Sequence, residues 1–483
     1  MKKNMFKFFP VSAHTDHIMP GGTFVCIKGY KLNGIDFIPQ ALEYGARTIV
    51  IEKSQEVPSD MLMLIKSAQA QVVYVDDARA ALADLSAQAA GYPAKKLRII
   101  AVTGTKGKTT SAFLLRHMLK KAGYSVAMLS TVHNSIAKFT HKDTLTCRSG
   151  YALNNQIDTS QYGECHVNEE IFPSELTTAQ PDYVHQFLKT CVDKGVEWVV
   201  LEVAAQAFSL ERVRGIFFDA AIYTNFTPEH GEFYPTLKEY AQAKARILEH
   251  LKPDAPLIFN ADNQAVAQSV GFYSSAIGVT KNDLTNRPYP ESIMGVYNLW
   301  NIHMAALCLA RVLPQYSAEH YQQLVMDFAG VPGRLEKYVL KNGACVYIDY
   351  AHSSAAVAAV LSALREKTDH LIVVNGCGGD RDKTKRPLMG CDSAAWGDLV
   401  FITSDNPRSE DPMAIITDML AGIPPAHMYK VVVEVDREKA IRAACAQASP
   451  SSIIALLGKG PDEYVIIKGV KYPFSEKTII ANL

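Results

Sequence analysis

Residues 103–110, Thr-Gly-Thr-Lys-Gly-Lys-Thr-Thr, carry the side chains that a phosphate chain needs. Gly104 and Gly107 let the backbone bend and aim N–H groups at phosphate oxygens, Lys108 adds a mobile cation, and the Thr109 hydroxyl can face Mg²⁺. Thr105, Lys106 and Thr110 complete a loop shorter than the commonest P-loop pattern. Farther on, Glu202 follows the apolar run Trp198–Leu201, and His230 closes Thr224-Asn225-Phe226-Thr227-Pro228-Glu229-His230. Glu202 offers the hard oxygen that Mg²⁺ prefers opposite a nucleotide, whereas imidazole is a less usual ligand for this metal. Lys244, taken alone, reads as a solvated helix charge.

The elements around these residues suit the chemistry. Leu97–Val102 is an apolar run that predicts a buried strand, and Ser111–Lys121 has apolar residues at helical spacing before the stop at Gly123. Strand-like runs at Trp198–Val203 and Ala220–Asn225 alternate with helical patterns, which predicts a doubly wound, mainly parallel sheet over residues 97–332. Residues 1–96 read as a small α/β unit, with strands at Thr23–Ile27 and Thr48–Ile51. Residues 333–483 repeat the α/β pattern, with strands at Cys345–Asp349, His370–Asn375, Leu399–Thr403 and Ile453–Leu457. The fold class is therefore α/β in three domains, a central P-loop domain flanked by a small N-terminal domain and a Rossmann-like C-terminal domain. The polar stretch from His133 to Glu175 has weak periodicity and reads as mostly loop.

Composition narrows the partners. The 483 residues are 48% hydrophobic, enough for about three cores. Lys+Arg and Asp+Glu both total 49, so no net field draws the chain to nucleic acid or an anionic membrane. Nine cysteines are scattered without a C-x-x-C pair, which fits reduced thiols of a cytoplasmic protein. No run is long enough for a signal peptide or a membrane span, and a monomer is expected.

A longer ordered set of motifs changes the weight of the single residues. Thr103–Thr110, Glu202, Thr224-Asn225 with His230, Ala243-Lys244-Ala245-Arg246, the Asn298 and Asn301 stretch, Gly333-Arg334, Asp349-Tyr350-Ala351-His352, Gly376–Pro387 and Ser404–Pro412 resemble the Mur ligases. Within that family the chain is most similar to members that add the third residue of the peptidoglycan stem. The resemblance implies an ATP- and Mg²⁺-dependent amide ligase in peptidoglycan synthesis, working through an acyl phosphate. Its substrates would be a UDP-linked muramoyl dipeptide and meso-diaminopimelate. Lys108, Glu202, His230 and Lys244 would be catalytic. Thr109, Glu202, His230 and Lys244, the last as a carbamate, would hold metal. Gly104 to Thr110, Asn298, Asn301, Arg334, Asp349 and His352 would bind ATP. Asp405, Asn406, Arg408, Gly458 and Asp462 would bind the amino acid, with Arg408 gripping a distal carboxylate that lysine lacks.

The departures fall mainly on the acceptor side. Thr15, Thr177, Thr178 and Arg212 keep the family's polar groups there, but Asp16 stands where an arginine is usual and Ala179 where a proline is usual. Ala204-Ala205-Gln206 replaces Ser-Ser-His, and Thr227-Pro228-Glu229-His230 replaces Arg-Asp-His. The alternative is a Mur-type ligase acting on a different carboxylate acceptor. In the amino-acid motif, Pro461-Asp462 replaces His-Glu, a shorter carboxylate.

Overall fold

The computed structural model describes residues 5–29, 32–139, 167–229, 231, 233–284, 289–290 and 292–483. His230 lies outside them. The chain forms two compact units, one comprising Met1–Glu229, Thr236–Asn286 and Trp300–Val325, the other His230–Pro235, Arg287–Leu299 and Met326–Leu483.

The first unit holds two sheets. Strands β1 (Phe9–Ser12), β2 (Ile18–Cys26), β3 (Thr48–Glu52) and β4 (Gln71–Val75) pair in parallel in chain order. Alternation along them sends Phe24, Cys26, Ile49 and Ile51 to one core and Val25 and Val50 to another, so both faces are covered. The larger sheet contains β5 (Arg98–Thr103), β6 (Val126–Leu129), β7 (His133–Phe139), β8 (Val167–Pro173), β9 (Trp198–Glu202), β10 (Ala220–Tyr223), β11 (Leu257–Asn260) and β12 (Ala276–Val279). Its order is β12-β11-β10-β5-β9-β6-β7-β8. Only the β6–β7 and β7–β8 pairs are antiparallel. Strand β5 sits between β10 and β9, with Ile99 to Val102 fully buried, as a parallel strand covered on both faces requires.

Two local expectations change. The helix after the phosphate loop begins at Lys108 and runs to Lys121, three residues before the first apolar-periodic residues suggested. The stretch expected to be loop contains β7 and β8, which pair along their full lengths at the sheet edge; residues 140–166 lie outside the described set. The polar, exposed run Asn168–Glu170 on β8 hid this strand, because an edge strand keeps a ladder without burying its side chains.

The second unit is built on β13 (Glu336–Val339), β14 (Cys345–Asp349), β15 (Leu371–Asn375), β16 (Leu399–Ile402), β17 (Val431–Val433) and β18 (Ile453–Leu457). The order is β13-β14-β18-β15-β16-β17, parallel except for β13. Val346, Ile372, Val374 and Leu456 face one core, and Tyr347, Val373, Ala455 and Leu457 the other. Strands β19 (Tyr464–Ile467) and β20 (Val470–Pro473) form a separate hairpin. The four-, eight- and six-stranded sheets take their strands from residues 9–75, 98–279 and 336–457 in turn. No helix among the described residues is long and apolar enough to cross a membrane.

Candidate active site

The phosphate loop leaves the carboxyl end of β5, and its neighbours β9 and β10 deliver Glu202 and Thr224-Asn225 to the same end. Ligands gather at such strand ends. Gly104 has φ +142°, and a Cβ there would lie 1.9 Å from Thr224 Oγ1, so no other residue fits. Gly107, at φ +82°, caps the helix Lys108–Lys121, where a Cβ would meet Asn301 Oδ1 at 2.5 Å. Thr224-Asn225 clamps the loop. The Thr105 and Lys106 N–H groups donate to the Asn225 backbone and side-chain oxygens, both at 2.9 Å, while Asn225 Nδ2 and Thr224 Oγ1 donate to the Lys106 carbonyl.

Three lysines converge on this loop. Lys108 Nζ donates to the carbonyls of Gly104 and Thr105 at 2.8 and 3.0 Å, and Lys244 Nζ to Gly104 at 2.7 Å. Lys106 pairs with Glu229 at 2.7 Å. Lys244 is brought in by the helix Leu237–Ala245, whose start is secured by the Thr236–Glu239 capping box. The lysine read from sequence as solvated is 1% exposed, lies over the Tyr240 ring, and has its ammonium pKa pushed well below the ordinary range by burial, with Lys108 and Lys106 adding to the effect.

Glu202 is fully buried at the end of β9. Burial raises its pKa, while Lys108 and the hydrogen bonds from Thr131 and Thr109 favour the carboxylate. Thr109 Oγ1 donates to Oε2, and Thr131 donates its backbone N–H to Oε1 and its hydroxyl to Oε2, all at 3.0 Å. Thr131 is absent from the sequence-derived set. It lies two residues past the apolar run Val126–Leu129, a signal that carries meaning only once β6 is known to flank β9. A buried carboxylate beside a loop threonine and a cationic phosphate cradle is an oxygen-donor set that fits Mg²⁺ with a nucleotide.

The predicted acceptor residues are distributed unequally. Thr177 Oγ1 lies 3.1 Å from Thr131 Oγ1, Thr178 Oγ1 donates to the Glu202 carbonyl and accepts from the Ala204 N–H, and Arg212 Nη1 donates to the Thr178 carbonyl at 2.9 Å. These three therefore collect beside Glu202. Thr15 is buried in the N-terminal sheet region, its hydroxyl donating to Gln40 Oε1. Asn301 Oδ1 accepts from the Ser111 hydroxyl on the helix Lys108–Lys121, where Thr110 is half-buried.

Within the second unit, Asn298 Nδ2 donates to the Met294 carbonyl at 2.7 Å. Asp349 accepts the Leu335 and Ala351 N–H groups, Arg334 lies 4.6 Å over the Tyr350 ring, and His352 Nδ1 is 2.7 Å from the Tyr350 carbonyl. The carboxyl ends of β16 and β18 line a cavity of about 580 Å³ with Asp405, Arg408 and Lys459. Lys459, also missing from the sequence-derived set, is 1% exposed and bonds Asp405 Oδ1 at 3.2 Å and Asn406 Oδ1 at 3.4 Å. Gly458, at φ +105°, keeps the backbone close to Asp405. Burial, reinforced by Asp405, raises the Asp462 pKa to about 6 against the opposing pull of Lys459.

Fold and phosphate cradle define a P-loop, nucleotide-dependent enzyme of three α/β domains. Three family models match in order: "Mur ligase family, catalytic domain" over residues 11–90, "Mur ligase middle domain" over 102–288, and "Mur ligase, glutamate ligase domain" over 333–460. The UDP-N-acetylmuramoyl-L-alanyl-D-glutamate–2,6-diaminopimelate ligase of Clostridium botulinum is 32% identical, across 100% of this chain and 96% of that protein. The Phocaeicola vulgatus protein of the same name is also 32% identical, across 96% and 93%. Among solved structures, MurF from Thermotoga maritima in complex with ADP has a TM-score of 0.61 at 19% identity, covering 94% of this chain and 95% of that one. A UDP-N-acetylmuramoyl-L-alanyl-D-glutamate–2,6-diaminopimelate ligase has a TM-score of 0.57 at 24% identity, covering 98% and 94%. This chain belongs to the Mur ligase family.

Proposed function

We propose that the protein is a cytoplasmic ATP-dependent ligase that joins meso-diaminopimelate to UDP-N-acetylmuramoyl-L-alanyl-D-glutamate. The observation that carries the choice of amino acid is the cavity lined by Asp405, Arg408 and Lys459, with Asp462 close to them. Carboxylates (Asp405, Glu410, Asp411, Asp436) and cations (Arg408, Arg437, Lys459, Lys468) line this pocket together, a mixed lining that complements an amino acid that itself carries both ammonium and carboxylate groups. Relatives of full length bear the name of that activity.

The chemistry follows from charge. Transfer of the ATP γ-phosphoryl group to a carboxylate brings two anions together, so neutralisation and alignment supply most of the catalysis. Lys108 and the loop N–H groups hold the phosphates. Thr109 and Glu202, with His230, would hold Mg²⁺, whose role is to neutralise phosphate charge. A carbamate on Lys244 would add an anion able to support that metal. The acceptor carboxylate oxygen attacks phosphorus and ADP leaves. The amine nitrogen of the second substrate then attacks the acyl carbon, phosphate departs with the bonding pair, and the nitrogen loses a proton to give the amide. Asp405 and Asp462 orient the ammonium groups, and Arg408 the distal carboxylate.

A different carboxylate acceptor is the second reading. Ala204 and Ala205 present no hydroxyls where the family has serines, and the Thr15 and Thr178 hydroxyls are already engaged within the protein. Purified protein with Mg²⁺, ATP, UDP-N-acetylmuramoyl-L-alanyl-D-glutamate and either meso-diaminopimelate or lysine distinguishes the two by product mass. A tripeptide product with diaminopimelate alone is expected. ATP and diaminopimelate binding without product would move the assignment to another acceptor.

A further inference from the structure

Arg408 does not hold its own conformation. Its φ is +52°, a left-handed backbone uncommon for a side chain of this size, so something outside the residue must stabilise it. The β19–β20 hairpin does so. The Arg408 N–H donates to the Ile466 carbonyl at 2.9 Å and the Lys468 N–H to the Arg408 carbonyl at 2.6 Å, an isolated parallel bridge that ties Arg408 to the hairpin edge at Ile467. One turn of chain earlier, Asn406 Oδ1 accepts the Ile466 N–H at 2.9 Å. Both backbone polar groups of Ile466 therefore point away from β20 and towards residues 406–408.

The dependence runs both ways. A two-stranded hairpin is marginal by itself, and this one closes through Lys468-Gly469, both at positive φ, the signature of a tight two-residue turn. With the backbone strapped, the guanidinium reaches the Gly379 carbonyl at 2.6 Å, and a Cβ on Gly378 would stand 2.8 Å from Nη1. The hairpin's Val465, Ile467 and Lys468 line the same cavity as Arg408.

We propose that the 464–473 hairpin is the selectivity element of this pocket: by strapping Asn406 and Arg408 it aims the guanidinium, and so selects amino acids that bear a distal carboxylate. Asn406 and Ile466 are positioning residues. This rests on the amino-acid assignment made above.

The test uses the full-length enzyme and two variants. Ile466→Pro deletes the N–H that binds Asn406, and Asn406→Ala deletes its acceptor. The ratio of kcat/KM for meso-diaminopimelate over L-lysine should fall about tenfold to a hundredfold in each, the value of a charge-assisted contact, with KM for ATP unchanged. In the ligand-free protein, amide hydrogen exchange at Arg408 and Lys468 should accelerate in both, and the double variant should be no worse than either alone. Retention of the ratio in both variants overturns the proposal, as does its loss without faster exchange, which would make Asn406 a direct contact only. Should Ile466→Pro unfold, Asn406→Ala decides by the same pair of readouts. If the wild-type enzyme shows no preference for diaminopimelate, the functional reading fails and takes the selectivity proposal with it, whereas a wild-type preference retained in both variants overturns the proposal alone.

Discussion

Lys244 Nζ donates a 2.7 Å hydrogen bond to the Gly104 carbonyl, tying a fully buried amine on one helix to the first residue of the phosphate loop. Burial first, then the charge of Lys108, drives this ammonium towards the neutral form. A neutral amine is the species that adds CO₂, and the product would place an anion among lysines that attract it.

Native mass spectrometry in bicarbonate buffer is therefore expected to show an increment of one CO₂ that disappears on acidification and is absent in Lys244→Met. That variant should lose activity by on the order of 10²-fold, the scale of one preorganised charge. An unmodified mass in fully active wild-type enzyme would rule the carbamate out.

Thr131 secures both oxygens of Glu202. Thr131→Val keeps the backbone N–H but removes the hydroxyl bond. It should raise the Mg²⁺ concentration for half-maximal activity about tenfold, equivalent to ~1.4 kcal/mol, and weaken Mn²⁺ binding to the protein–ADP complex in paramagnetic resonance titrations. Thr131→Ser should restore both. Unchanged metal binding in the valine variant would remove Thr131 from the site.

Asp462 has its pKa raised from 3.8 to about 6, chiefly by burial. Above pH 6 the carboxylate is charged and competent to meet an ammonium group, so KM for the amino acid should fall as pH rises through about 6 and flatten above it. Linkage gives the opposite sign for stability. The native state holds this proton more tightly than the unfolded chain, so its contribution is present at low pH and is lost as pH rises from about 3.8 to 6. Asp462→Asn should abolish both dependences, measured by KM–pH profiles and denaturant titrations.

Arg437 and Glu476 form a buried ion pair at 2.8 Å, with Arg437 also donating to the Leu457 carbonyl at the end of β18. Removing one partner strands the other charge. Glu476→Leu or Arg437→Met should each cost about 3–5 kcal/mol, visible as a lowered transition of the C-terminal unit in calorimetry, and the double replacement should recover much of the loss. Additive losses would show that the pair is not coupled.

Amino-acid order alone determined much of this protein. The loop Gly104–Thr110, the strands Cys345–Asp349 and Ile453–Leu457, and the side-chain chemistry of Asp405 and Arg408 are written in local residue types, and local periodicity and turn chemistry act over a few residues. Tertiary structure decided the rest. Strand β8 gained its place from pairing with β7, Thr131 became a partner of Glu202 through the adjacency of β6 and β9, and Lys244 passed from an apparent surface charge to a buried amine because its helix packs against the phosphate loop. Arg408 was legible as a residue type, yet the aim of its guanidinium comes from a hairpin nearly sixty residues away in sequence. Hydrogen-bond partners and desolvation depend on which distant segments meet, and a chain read in one dimension holds that information only once the sheet order is known.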